Sequence, residues 1–145
     1  MTKLKIKKTK DLSQSDLTPI RKKVLQIIRD HNRPIGAYAL LDEYKKDHVN
    51  AAPPTIYRAL DYLMDRHLIH KIEKLNAYVA CDHDHHHDDH TEAVQILVCT
   101  RCGKTRETDA TELNKSTAQL AKKLGFVVEQ SILEIIGHCK ICQSS

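Results

Sequence analysis

Two short cysteine knuckles stand out, Cys99-Thr100-Arg101-Cys102-Gly103 and Cys139-Lys140-Ile141-Cys142. Two residues between paired thiolates let both sulfurs face one ion, and two such knuckles supply the four ligands of a closed tetrahedral zinc site. The alternative is a pair of disulfides or redox dithiols. Against it, the chain opens with Met-Thr-Lys and a run of lysines, has no apolar signal-peptide core, and has no stretch long enough to span a membrane. These features predict a reducing, cytoplasmic setting without a membrane partner, where paired thiols hold metal. A structural zinc is therefore expected at Cys99, Cys102, Cys139 and Cys142. A site with four cysteines and no open position cannot activate water, so this zinc does not point to catalysis.

A second concentration of ligand chemistry is the run Asp82-His83-Asp84-His85-His86-His87-Asp88-Asp89-His90-Thr91-Glu92, with five of the chain's ten histidines. Imidazoles and carboxylates beside zinc knuckles are a candidate metal site; the alternative is a solvated linker. Cys81 is the odd cysteine left after the knuckles, either a further ligand or a small buried apolar residue at a strand end. A zinc hydrolase or deaminase is disfavoured. Neither a His-Glu-x-x-His helix nor a His-x-Glu with a downstream Pro-Cys-x-x-Cys is present, and no enzyme is expected.

These groups need elements to hold them. Residues 1–75 carry 16 Lys and Arg against 9 Asp and Glu, whereas residues 76–145 carry 7 against 10. The first half is basic and the second acidic, which suggests a polyanion partner for the first half. Residues 1–12, with five lysines, read as a basic arm too poor in apolar groups to fold alone. Thr18-Pro19 is a helix start, and Ile20, Val24, Ile27 and Ile28 predict one apolar face over 19–31, ended by Asn32-Arg33-Pro34. Ala37, Leu40, Leu41 and Tyr44 predict a second helix. Ala52-Pro53-Pro54-Thr55 starts a third, with Ile56, Ala59, Leu60, Leu63 and Met64 on its core face and Tyr57, Arg58, Asp61 and Asp65 opposite. A hairpin through 68–72 and 77–80 completes the order of a winged helix. The third helix is then the expected reader of double-stranded DNA, with Thr55, Tyr57 and Arg58 as candidate contacts; ordinary exposed residues are the alternative.

Beyond the histidine run, 93–98 reads as a strand entering the first knuckle and 104–107 as its return. Thr111 is expected to cap a helix through Leu124, ended by Gly125. Residues 126–128 and 132–136 read as two strands or one bent strand leading to the second knuckle. The whole is an α+β chain: a winged-helix DNA-binding domain at 1–81, a His/Asp-rich hinge loop at 82–92, and a small zinc-clamped α/β dimerisation domain at 93–145. One sheet face has no cover within so short a chain, and a homodimer would bury it.

The segments Pro53-Pro54-Thr55-Ile56-Tyr57-Arg58-Ala59-Leu60-Asp61-Tyr62-Leu63, His70-Lys71-Ile72-Glu73, Ala77-Tyr78-Val79-Ala80-Cys81 and the two knuckles resemble, in the same order, the ferric uptake regulator family, most closely its zinc-responsive branch. The resemblance runs from about residue 17 to 142. It implies a dimeric, metal-activated bacterial repressor that binds palindromic operators, controls zinc uptake and homeostasis genes, and takes no small-molecule substrate other than the metal ion. It places Tyr57 and Arg58 at DNA, the knuckles at structural zinc, and a regulatory zinc at His70, Cys81, His90 and Glu107. For the third of these, His83, His85 and His87 are rivals, because the segment between Cys81 and Cys99 is about two residues longer than the family pattern. One thiolate, two imidazoles and one carboxylate suit tetrahedral zinc, whereas an iron sensor favours octahedral nitrogen and oxygen ligands. An iron- or peroxide-responsive regulator of the same family is the alternative function.

Overall fold

A computed structural model describes residues 17–81 and 93–144. Helix α1 (Pro19–His31) starts at Thr18, whose Oγ1 accepts the Arg21 amide at 3.5 Å, and ends at Asn32 in the left-handed region at φ 54°. Helices α2 (Ala37–Lys45) and α3 (Pro53–Asp65) follow, the latter opened by prolines whose missing N–H groups are harmless in a first turn. Val24, Leu40, Leu60 and Leu63 are fully buried where the three helices meet. Each such side chain contributes about 1.5–3 kcal/mol on leaving water. Ile20 departs from expectation. It is 40% exposed, and Leu25 takes the inward position on α1.

Strands β1 (Ile69–Ile72) and β2 (Ala77–Ala80) form an antiparallel hairpin, paired from Ile69 with Ala80 to Ile72 with Ala77. A 3-10 turn at Glu73–Leu75 joins them, and Asn76 absorbs the reversal at φ 46°. Ile35 exchanges both backbone hydrogen bonds with Tyr78, at 3.0 and 2.9 Å. The link between α1 and α2 is thereby stitched to the hairpin.

The remaining elements are β3 (Val94–Cys99), β4 (Thr105–Thr108), α4 (Thr111–Leu124), β5 (Ile132–Gly137) and a short α5 (Lys140–Gln143). The sheet order is β4-β3-β5, antiparallel on one side of β3 and parallel on the other. The chain is thus mixed helix and sheet, as its patterning predicts. Along β3, Ile96 and Val98 are buried while Leu97 is 38% exposed, the alternation of a strand with one covered face. That cover is the hairpin: Ile72 is fully buried against Ile96 and Val98, with Val79 and Val94 beside them.

Two local expectations fail. Thr111 does not cap α4; it is the first helical residue, Ala110 holds the cap position without a side-chain bond, and Asp109 Oδ1 in the preceding turn accepts the Thr111 amide at 2.9 Å and the Thr111 hydroxyl at 2.5 Å. Residues 126–128 form no strand, because the Phe126 amide donates to the Ala121 carbonyl at 2.8 Å in closing the helix. β3 has no residue left for them either, since its first residue, Val94, already pairs with Ile132. Along β5, Ile132, Leu133, Ile135 and Ile136 stay about two-fifths exposed within one chain. Leu120 and Leu124 of α4 are exposed as well.

Candidate metal centres and nucleic-acid interface

The four knuckle cysteines converge, all four sulfurs lying within 4.8 Å of one another. Cys99 ends β3, Cys102 lies in the turn closed by Gly103 at φ 70°, Cys139 precedes α5 and Cys142 lies within it. The parallel register makes this possible, because it sets Cys99 beside Gly137 and lets the Thr100 amide reach the Gly137 carbonyl at 3.0 Å. Cys102 Sγ and Cys139 Sγ are 3.8 Å apart. A tetrahedron with metal–sulfur bonds of about 2.3 Å has edges of about 3.8 Å, so the spacing fits zinc.

The thiols differ in acidity. Backbone amides of Cys102 and Cys139 lower Cys99 to about 5, and the Cys139 amide lies 3.3 Å from the Cys99 sulfur. Cys142 is pushed up to about 12, first by its hydrogen bond with Cys139 and then by desolvation. A cluster that ionises one thiol readily and resists ionising another calls for a cation to hold four sulfurs together. Arg101 braces the knuckles, its Nη1 donating to the Cys142 carbonyl at 2.7 Å, a role its sequence position did not reveal.

A second group joins the two halves of the chain. His70, Cys81 and Glu107 bring a nitrogen, a sulfur and an oxygen within 4.8 Å of one another. His70 lies on β1 and is 4% exposed. Cys81 follows β2, where its amide extends the ladder by donating to the Leu68 carbonyl at 3.0 Å. Glu107 lies on β4 opposite Ile96, on the sheet face turned to the hairpin. Cys81 Sγ stands 3.8 Å and 4.0 Å from the two Glu107 oxygens. Zinc holding a thiolate and a carboxylate tetrahedrally separates them by about 3.6 Å, so this donor set also fits. Three ligands leave a fourth position. His90 and its rivals His83, His85 and His87 lie outside the described residues.

On α3, Tyr57 and Arg58 are exposed and Thr55 is half-buried, on the side opposite Ile56, Ala59, Leu60 and Leu63. One turn on from Arg58, the Arg21 guanidinium sits 3.4 Å from the centre of the Tyr62 ring and Arg66 sits 5.0 Å from it. Sequence reasoning missed this stacking, which fixes α3 on α1 and gathers positive charge near the helix. It also missed Glu134 of β5, whose carboxylate accepts hydrogen bonds from the hairpin turn.

The model of the ferric uptake regulator family matches residues 13–136. The zinc uptake regulation protein of Escherichia coli K12 is 37% identical over 126 residues, covering 87% of this chain and 72% of that one. A solved zinc uptake regulator complexed with zinc and DNA superposes with a TM-score of 0.80 at 36% identity, over 88% of this chain and 83% of that one. The crystal structure of holo XcZur gives a TM-score of 0.77 at 40% identity, over 89% and 87% of the two chains. Among the described residues, no helix is long and apolar enough to cross a membrane.

Proposed function

The chain belongs to the ferric uptake regulator family, and from that premise we propose that it is a zinc-responsive transcriptional repressor acting on operator DNA as a homodimer. The observation that carries the zinc reading is the meeting of His70 and Cys81, from the hairpin end of the helical half, with Glu107, from the sheet. Its thiolate favours zinc over the harder iron ion. The similarity to a zinc uptake regulator bound to zinc and DNA supports the same reading.

We assign two roles to metal. Cys99, Cys102, Cys139 and Cys142 hold a structural zinc that ties the ends of β3 and β5. His70, Cys81 and Glu107, with His90 as the expected fourth ligand, hold the zinc that is sensed. Their donor atoms are near one another only while the hairpin rests on the sheet, so a cation shared among them favours that docked arrangement over any other. In a dimer, docking both hairpins fixes the distance between two copies of α3, and Thr55, Tyr57 and Arg58 then meet successive half-sites of a palindrome. Domain limits at 1–81, 82–92 and 93–145 suit this division of labour. No catalytic residue is assigned.

The deciding experiment titrates DNA binding against buffered free zinc, with metal stoichiometry measured in parallel. Two zinc ions per chain, and binding that rises as the second is taken up, are expected. DNA binding indifferent to zinc but switched by ferrous iron would overturn this in favour of an iron sensor.

A further inference from the structure

Strand register lines up three side chains across the sheet. Ile96 on β3 pairs with Glu107 on β4 and with Glu134 on β5, so Glu107, Ile96 and Glu134 form one row on the face that the hairpin covers. Each member meets the hairpin at a different height. Glu107 meets Cys81 and His70 at one end, and Ile96 packs with Ile72 in the middle. Glu134 reaches the turn: its Oε1 accepts the Glu73 amide at 2.6 Å and its Oε2 accepts the Lys74 amide at 3.4 Å. The Glu73 side chain does not compete for this position, because its own carboxylate pairs with Lys71 Nζ at 3.2 Å.

We propose that Glu134 is a positioning residue, a metal-independent catch that pins the hairpin tip to β5 so that the ligands at the other end of the row close on an already oriented hairpin. The first two amides of a 3-10 turn have no partner within the turn, and a carboxylate spanning both supplies the acceptors they lack. With only the apolar contact at Ile72 and the ligands at Cys81, the helical half, to which Ile35 stitches the hairpin, would be held to the sheet at one end of the row and could pivot at the other. Apolar contact is not directional, and a pivot needs a second fixed point. Glu134 supplies that point from the strand whose neighbouring Leu133 and Ile135 remain exposed within one chain. The effect on DNA rests on the function proposed above; the catch itself does not.

The test uses the full-length zinc-loaded protein with Glu134→Ala and Glu134→Gln. Amide exchange at Glu73 and Lys74 is followed by NMR, together with zinc stoichiometry, zinc affinity and binding to a duplex selected by the wild type from a random pool. Alanine should speed exchange at both amides about tenfold or more and weaken DNA binding about tenfold, with two zinc ions per chain retained. Glutamine keeps one acceptor but turns an amide donor toward the other N–H, so one of the two amides should stay protected. A purely structural loss would not separate neighbouring amides in this way. Unchanged exchange at both positions in both variants overturns the catch. Faster exchange with unaltered zinc and DNA affinity overturns its positioning role. If the wild type selects no duplex, the DNA-binding reading fails, while amide exchange and zinc affinity still decide for or against Glu134.

Discussion

Cys81 Sγ lies 3.8 Å from a carboxylate oxygen of Glu107, although they stand 26 residues apart, one just past the hairpin and the other in the three-stranded sheet. A thiol and a carboxylate gain little from each other in that position. A shared cation would gain from both.

Cys81→Ser should therefore separate sensing from folding. A serine hydroxyl is a poor zinc ligand at neutral pH, so one zinc per chain should be lost while the knuckle zinc and the thermal transition remain. DNA binding should then change little across the free-zinc range that switches the wild type. A variant switched at the same free zinc would remove Cys81 from the site.

Cys142→Ser should behave in the opposite way. It opens the clamp between the ends of β3 and β5, so the tightly held zinc should be lost and the melting transition of the sheet lowered or abolished. Metal analysis after dialysis and a thermal melt check this; retention of both zinc ions contradicts it.

Loading metal into the clamp should release protons. Cys99, held at about 5, is already a thiolate at pH 7, whereas Cys142, at about 12, must give up its proton to bind. Calorimetry in buffers of different ionisation enthalpy should thus report at least one proton per zinc at pH 7. Because the Cys99 thiol is lowered, it competes with no proton of its own until pH falls through about 5, and below that zinc affinity should fall more steeply with pH, by one further proton per ion.

Arg58→Ala should weaken DNA binding without altering zinc content, since Arg58 is exposed on α3. If it pairs with a guanine edge, the loss is about 1–3 kcal/mol and concentrated at one base position; if it holds a phosphate, affinity falls for all sequences alike. Affinities measured on single-base variants of the selected duplex distinguish these outcomes. Unchanged affinity would refute α3 as the reading helix.

Leu60→Ala should cost about 2–5 kcal/mol of stability in urea unfolding, because Leu60 is fully buried at the meeting of three helices. A loss under 1 kcal/mol would contradict that packing.

Where local chemistry decides, the sequence was readable. Thr18, Asn32 and Gly125 bound helices because a side-chain acceptor or a left-handed backbone is needed at those ends. The buried face of α3 followed from its spacing. Thr111 was misplaced because its hydroxyl is of a capping type, whereas the helix starts at Thr111 itself after Ala110, and 126–128 were misjudged because apolar residues resemble a strand even with no neighbour to pair with. The meeting of His70, Cys81 and Glu107 depends on how a hairpin lies on a sheet, which no spacing along the chain encodes. Resemblance to a family suggested those residues. Glu134 was read only as part of the strand 132–136, and only the register of β3 and β5 gives it a place.

The parallel pairing of β3 with β5 has a consequence for the order of synthesis. The main core of the helical half is complete once Ala80 has left the ribosome, since it draws on residues 17–80, while Ile72 still waits for Ile96 and Val98 of β3. β3 follows, but its parallel partner and half of its cysteine clamp are translated only after β4 and α4. During that interval the nascent chain carries a finished reading helix and no clamp, with Cys99 and Cys102 waiting for ligands still to be made. A message cut short before Cys139 would thus yield a fragment that cannot complete the clamp, however well its helical core is packed.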